Sequence, residues 1–159
     1  MQAQQYAAIA VALALTACNP FHHEQAVQIE RGEVNATQRW NATLVTPSQL
    51  TGAVQVRGTA WMAPSSDNDT RVHISISNAA PGGVHPWQLH RGKCGTDQGT
   101  VGSADAYKAL RVDNDGKASA ETIVDTALPT SGDFFVAVYA SPDNLATTIA
   151  CGNLAPPVQ

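Results

Sequence analysis

An all-β domain is the fold class this sequence predicts, and three observations predict it. The 12 glycines and 9 prolines are spread through the 159 residues, so turn signals recur at short intervals. No helical period is sustained beyond about residue 20. The stretch Arg71–Asn78 (RVHISISN) alternates with a period of two, which sends Val72, Ile74 and Ile76 inward and leaves His73, Ser75 and Ser77 in solvent. About seven or eight short strands of this kind, separated by turns, suggest a sandwich or a closed barrel. The length suits one domain with a single core. With a charged fraction of 14%, a formal net charge of −4 and no basic run, nucleic acid is excluded as a partner class.

The chain opens on residues 1–17, MQAQQYAAIAVALALTA, which carry no charge. Ala7–Leu15 has the length of a signal-peptide core and is too short to span a bilayer. It runs into Leu15-Thr16-Ala17-Cys18, which resembles the lipobox of bacterial lipoproteins. The resemblance implies removal of residues 1–17 and acylation of Cys18 on its thiol. Two or more acyl chains, at about 0.8 kcal/mol per buried CH₂, make a stable membrane anchor. Asn19 rather than Asp after the cysteine fits sorting to the outer membrane, facing the periplasm. The alternative is an ordinary secretory signal in which Cys18 is incidental. Residues 18–39 read as a tether; His22-His23-Glu24 within it is a solvated stretch or a weak site of metal capture.

The domain is expected over residues 40–159. Ala42–Thr46 is a short strand candidate, and Ala53–Met62 a longer one with Gly58 as a bulge or bend. Pro64–Asp69 is a polar hairpin turn before Arg71–Asn78, and Ala80-Pro81-Gly82-Gly83 is a turn into VHPWQLHRGKC, Val84–Cys94. Gly95–Ala106, rich in Gly, Thr, Ser and Asp, reads as loop. Leu110–Val112 and Lys117–Val124 flank Asp113-Asn114-Asp115-Gly116 as a hairpin. Without a distal Glu, that acidic tip is a turn rather than a calcium loop. Asp133–Ala140 (DFFVAVYA) is the most apolar strand, and Ala146–Cys151 is the last. With Cys18 committed to lipid, Cys94 and Cys151 remain, and two thiols in a small exported domain are expected to form a disulfide.

Four stretches between Trp40 and Leu154 then resemble, in order, the copper/zinc superoxide dismutase family. Gly83-Val84-His85-Pro86-Trp87-Gln88-Leu89-His90 is similar to the family's Gly-Leu-His-Gly-Phe-His-Val-His strand. Cys94 is placed like the cysteine that ties down the following loop. Leu110–Ala118 is similar to the hairpin after the zinc loop, and Ile149-Ala150-Cys151-Gly152 to the C-terminal Leu-Ala-Cys-Gly. The resemblance implies an eight-stranded Greek-key β-barrel or sandwich with one disulfide. It also implies that His85 is a structural histidine bonded to backbone; Trp87 reads most simply as core.

The family's chemistry needs imidazoles on copper and a His/Asp set on zinc. This domain has three histidines, His73, His85 and His90. Of the expected copper ligands only His90 is kept. Gln88 occupies the first ligand position, Tyr139 stands where a later one falls, and Gly95–Leu110 supplies no histidine for zinc. Thr148 takes the place of the arginine that steers superoxide. Strand parity puts Gln88 and His90 on the face opposite Trp87 and Leu89, with His90 alone there as a remnant. The expectation is an envelope lipoprotein without catalysis and without a resident cofactor, acting as a binding or structural module for an unknown envelope protein or ligand. A weak copper site at His90, Tyr139 and Gln88, or at His22 and His23, would make it a metal-handling protein, and altered ligation a divergent dismutase.

Overall fold

The computed structural model describes residues 38–53 and 55–157. The lipobox with Cys18 and the tether histidines His22 and His23 lie outside the described residues. Among the described residues ten strands form: β1 Trp40–Val45, β2 Arg57–Pro64, β3 Thr70–Ser77, β4 Val84–His85, β5 Trp87–Lys93, β6 Thr96–Thr100, β7 Leu110–Arg111, β8 Ala118–Val124, β9 Phe134–Ser141 and β10 Asn144–Asn153. Eight make one curled sheet in the order β6-β5-β9-β10-β1-β2-β3-β8, and β4 pairs with β7 apart from it. Every pairing is antiparallel. Among the described residues no helix is long and apolar enough to cross a membrane.

The curl follows from one-sided burial. β3 alternates buried and half-buried side chains along its whole length, with Val72, Ile74 and Ile76 inward as its sequence predicts. β1 does the same with Trp40, Ala42 and Leu44. Trp87 and Leu89 of β5 and Val136 and Val138 of β9 face them across one continuous core. Each large apolar side chain so buried contributes about 1.5–3 kcal/mol, enough to hold the two halves of the sheet face to face. Trp87, fully buried, meets Tyr107 edge-to-face at 5.1 Å and donates its indole N–H to the Lys108 carbonyl at 2.9 Å. Burial pushes the Tyr107 hydroxyl up to about 12. It is satisfied as a donor to the Val101 carbonyl.

Four expectations need correction. β2 begins at Arg57, because a turn follows Thr51. Gly58 makes no bulge: β2 keeps register with β1 and β3 through it. A Cβ there would collide with the Ser75 carbonyl, so the glycine answers a close backbone approach. Gly95–Ala106 is not all loop, since β5 turns through Cys94-Gly95 into β6, with Lys93 opposite Thr96. Gly92, Gly95 and Gly99 supply the positive φ angles this short, strongly turned edge ribbon needs. Finally, the Asp113–Gly116 turn forms, closed by Asp113 N–H to the Lys117 carbonyl at 2.8 Å, but no ladder extends from it. β7 pairs instead with β4, Val84 opposite Arg111 and His85 opposite Leu110.

Candidate functional site

The outer face of β5 and β9 carries the candidate site. Cross-strand register sets Gln88 opposite Ala137 and His90 opposite Phe135, while Tyr139 follows two residues beyond Ala137 on β9. Period-two geometry therefore gathers Gln88, His90, Phe135, Ala137 and Tyr139 on one side of the sheet. Phe135, Ala137 and Cys151 are buried there as a small second apolar cluster, with Cys94 and Tyr139 packed on it. Cys94 and Cys151 are joined as a disulfide, Cα to Cα 6.0 Å, across 57 residues of chain. A closed loop of that size is worth about 4 kcal/mol in the chain-entropy account. The Cys94 N–H donates to Asn153 Oδ1 at 2.8 Å, fixing the turn to the end of β10.

His90 is neither exposed nor alone. It is 3% accessible, lies flat on Phe135 at 5.0 Å, and has both ring nitrogens engaged. Nδ1 is 3.0 Å from Asp97 Oδ1, and Nε2 is 2.8 Å from the Tyr139 hydroxyl. The carboxylate only accepts, so Nδ1 carries a proton; in the neutral ring Nε2 then accepts and Tyr139 donates. Asp97 also accepts from the Gly99 N–H at 2.7 Å. That backbone donor holds its carboxyl below the usual carboxylate range, against a desolvation effect of opposite sign and with help from His90. Desolvation, then the Asp97 charge, raises the Tyr139 hydroxyl, which keeps its proton. The result is a relay, Asp97–His90–Tyr139, tied at one end to the β6 backbone.

Gln88 stands beside the relay and does not join it; its Oε1 accepts from the Thr100 hydroxyl at 3.2 Å. His85 is buried on the other side of β9, its Nδ1–H donating to the Ala140 carbonyl at 2.9 Å, with Tyr139's carbonyl at 3.1 Å. His73 is not simply solvated: its ring stacks on Trp61 at 5.3 Å and 13°. Asp97 was missed in the sequence because its hairpin read as loop. A two-residue Cys94-Gly95 turn was the available signal, since it folds Asp97 back beside the strand that bears His90.

A groove of about 750 Å³ opens over this cluster. It is lined by Phe135, Ala137 and the disulfide, by Tyr139 and Asp97, and by Val45, Ser48, Leu145 and Thr148 among others. Among the described residues that line it, Asp97 is the only charged one. As a copper centre of the kind the resemblance implies, the donor set does not fit. It offers one imidazole with both nitrogens taken, a protonated phenol and an amide already bonded to Thr100. Among the described residues no group of three His, Cys, Asp or Glu is arranged to hold a metal ion. No protein-family model matches the chain, and no curated protein matches it.

Proposed function

We propose that the chain is an envelope lipoprotein, anchored through Cys18 and facing the periplasm, whose superoxide dismutase-like barrel has lost the copper/zinc centre and its catalysis and serves as a binding module. The observation that carries this reading is the closed relay. A copper ligand must offer a free nitrogen lone pair, whereas His90 Nε2 receives the Tyr139 hydroxyl and Nδ1 is held by Asp97. The pairing pattern supports a Greek-key barrel: β1, β2 and β3 run as a meander, β8 returns beside β3, and β10 closes between β9 and β1. Asp97 gives the groove a negative charge and the neutral Thr148 does not offset it, which opposes capture of an anion such as superoxide.

The test is metal content of the full chain before and after loading with copper and zinc, with superoxide turnover on the loaded sample. Less than stoichiometric metal and no turnover are expected. One tightly held copper per chain, lost on His90→Ala, would overturn the reading.

A further inference from the structure

We infer that the groove beside Tyr139 binds a small organic cation, an ammonium or guanidinium group carried on an apolar body. The inference deepens the binding-module reading and rests on it. Polarity decides the charge of the ligand. Among the described residues Asp97 is the sole charged group in the lining, its side chain is 54% accessible, and its hydrogen bonds to them use Oδ1 alone. Oδ2 is left to receive a donor. The Tyr139 hydroxyl donates a hydrogen bond to His90 Nε2, which leaves its oxygen lone pairs as acceptors. Lys93, the cation nearest in sequence to the lining, is paired at 3.5 Å with Asp133. Among the described residues the lining therefore offers two such acceptors and no cation, so an anion would find no charged partner.

Apolar surface decides the rest of the ligand. Among the described residues three large hydrophobic side chains are exposed, Val45, Ile123 and Leu145, and two of them line this groove. Val45 and Leu145, 49% and 54% accessible, line it together with Phe135, Ala137 and the disulfide. A concave site of about 750 Å³ with an apolar wall and few convergent polar groups has the build of a small-molecule pocket. A rigid relay behind the acceptors keeps them pre-positioned, which lowers the ordering cost of binding.

The experiment is calorimetric titration of the full chain, metal analysis in hand, with three probes that share a phenylethyl body and differ in the charge of the head group: 2-phenylethylammonium, 2-phenylethanol and 3-phenylpropanoate. The ammonium should bind at least about tenfold more tightly than the other two, the worth of one charge-assisted hydrogen bond. Asp97→Asn should remove that preference. Leu145→Ser, at an exposed position that leaves the fold alone, should weaken the ammonium about threefold or more through lost apolar contact. Carboxylate or alcohol bound as tightly as the ammonium would overturn the inference. So would unchanged affinity in either variant, or no heat from any probe. A metal-free chain that ignores the ammonium sinks this inference alone, whereas copper held at His90 sinks the binding-module reading beneath it.

Discussion

On its inner face β5 sets Trp87 and Leu89 into the continuous core, where both are almost wholly inaccessible and touch apolar groups from several strands. On its outer face the same strand sets Gln88 and His90 against a small apolar cluster and a groove. His90 is as well buried as Leu89 to within a few per cent, yet beside its stack on Phe135 its position is fixed by two hydrogen bonds, which Leu89 cannot make. The inner face holds the fold together. The outer face is held instead through polar partners on β6 and β9.

The largest effect that would break this comparison is at Trp87. Trp87→Ala removes a wholly buried indole, its edge contact with Tyr107 and its bond to the Lys108 carbonyl. A loss of about 3–5 kcal/mol is expected from urea unfolding. A loss below about 1 kcal/mol would mean that the core does not organise the fold.

An intermediate effect is expected at His90. His90→Ala strips a partner from Asp97 and from the Tyr139 hydroxyl, but both groups reach water or the groove. The cost should be about 1–2 kcal/mol, a hydrogen bond or two with solvent in replacement. A destabilisation equal to that of Trp87→Ala would erase the distinction between the faces.

How much of this was legible in the sequence follows the same division. Strict alternation in Arg71–Asn78 was enough to place Val72, Ile74 and Ile76, because a period-two pattern has one way to be half-buried. Trp87 and Leu89 were readable for the same reason, and so was the Cys94–Cys151 bond from the count of cysteines. β6 was not, since Thr96–Thr100 has no apolar residue and is held only as an exposed edge by its hairpin. Asp97 went with it, and with Asp97 the true state of His90. The crossing of β7 to β4 was hidden too: Asp113–Gly116 makes a sound turn, and only tertiary pairing decides that no hairpin grows from it. Gly58 looked like a bend because a glycine's cause can lie on the neighbouring strand, here the Ser75 carbonyl.

The smallest effect sharpens the comparison by isolating the relay's charge. The folded-state carboxyl of Asp97 lies below its ordinary range, chiefly through the Gly99 N–H and secondarily through His90. A depressed carboxylate stabilises the fold fully above the unfolded value of about 3.9, and the contribution is lost as pH falls through the lower folded value. With the Asp97 side chain 54% accessible, solvent screens the interaction, and its worth is under about 1 kcal/mol. Asp97→Asn should therefore lower stability slightly at neutral pH and converge with the parent in strong acid, below the folded value. The two urea midpoints, followed from pH 7 down to about pH 2, measure that convergence. A gap that stayed constant through acid would assign the loss to the shape of the β5–β6 turn rather than to charge. The outer face would then be held by packing after all, like the inner one.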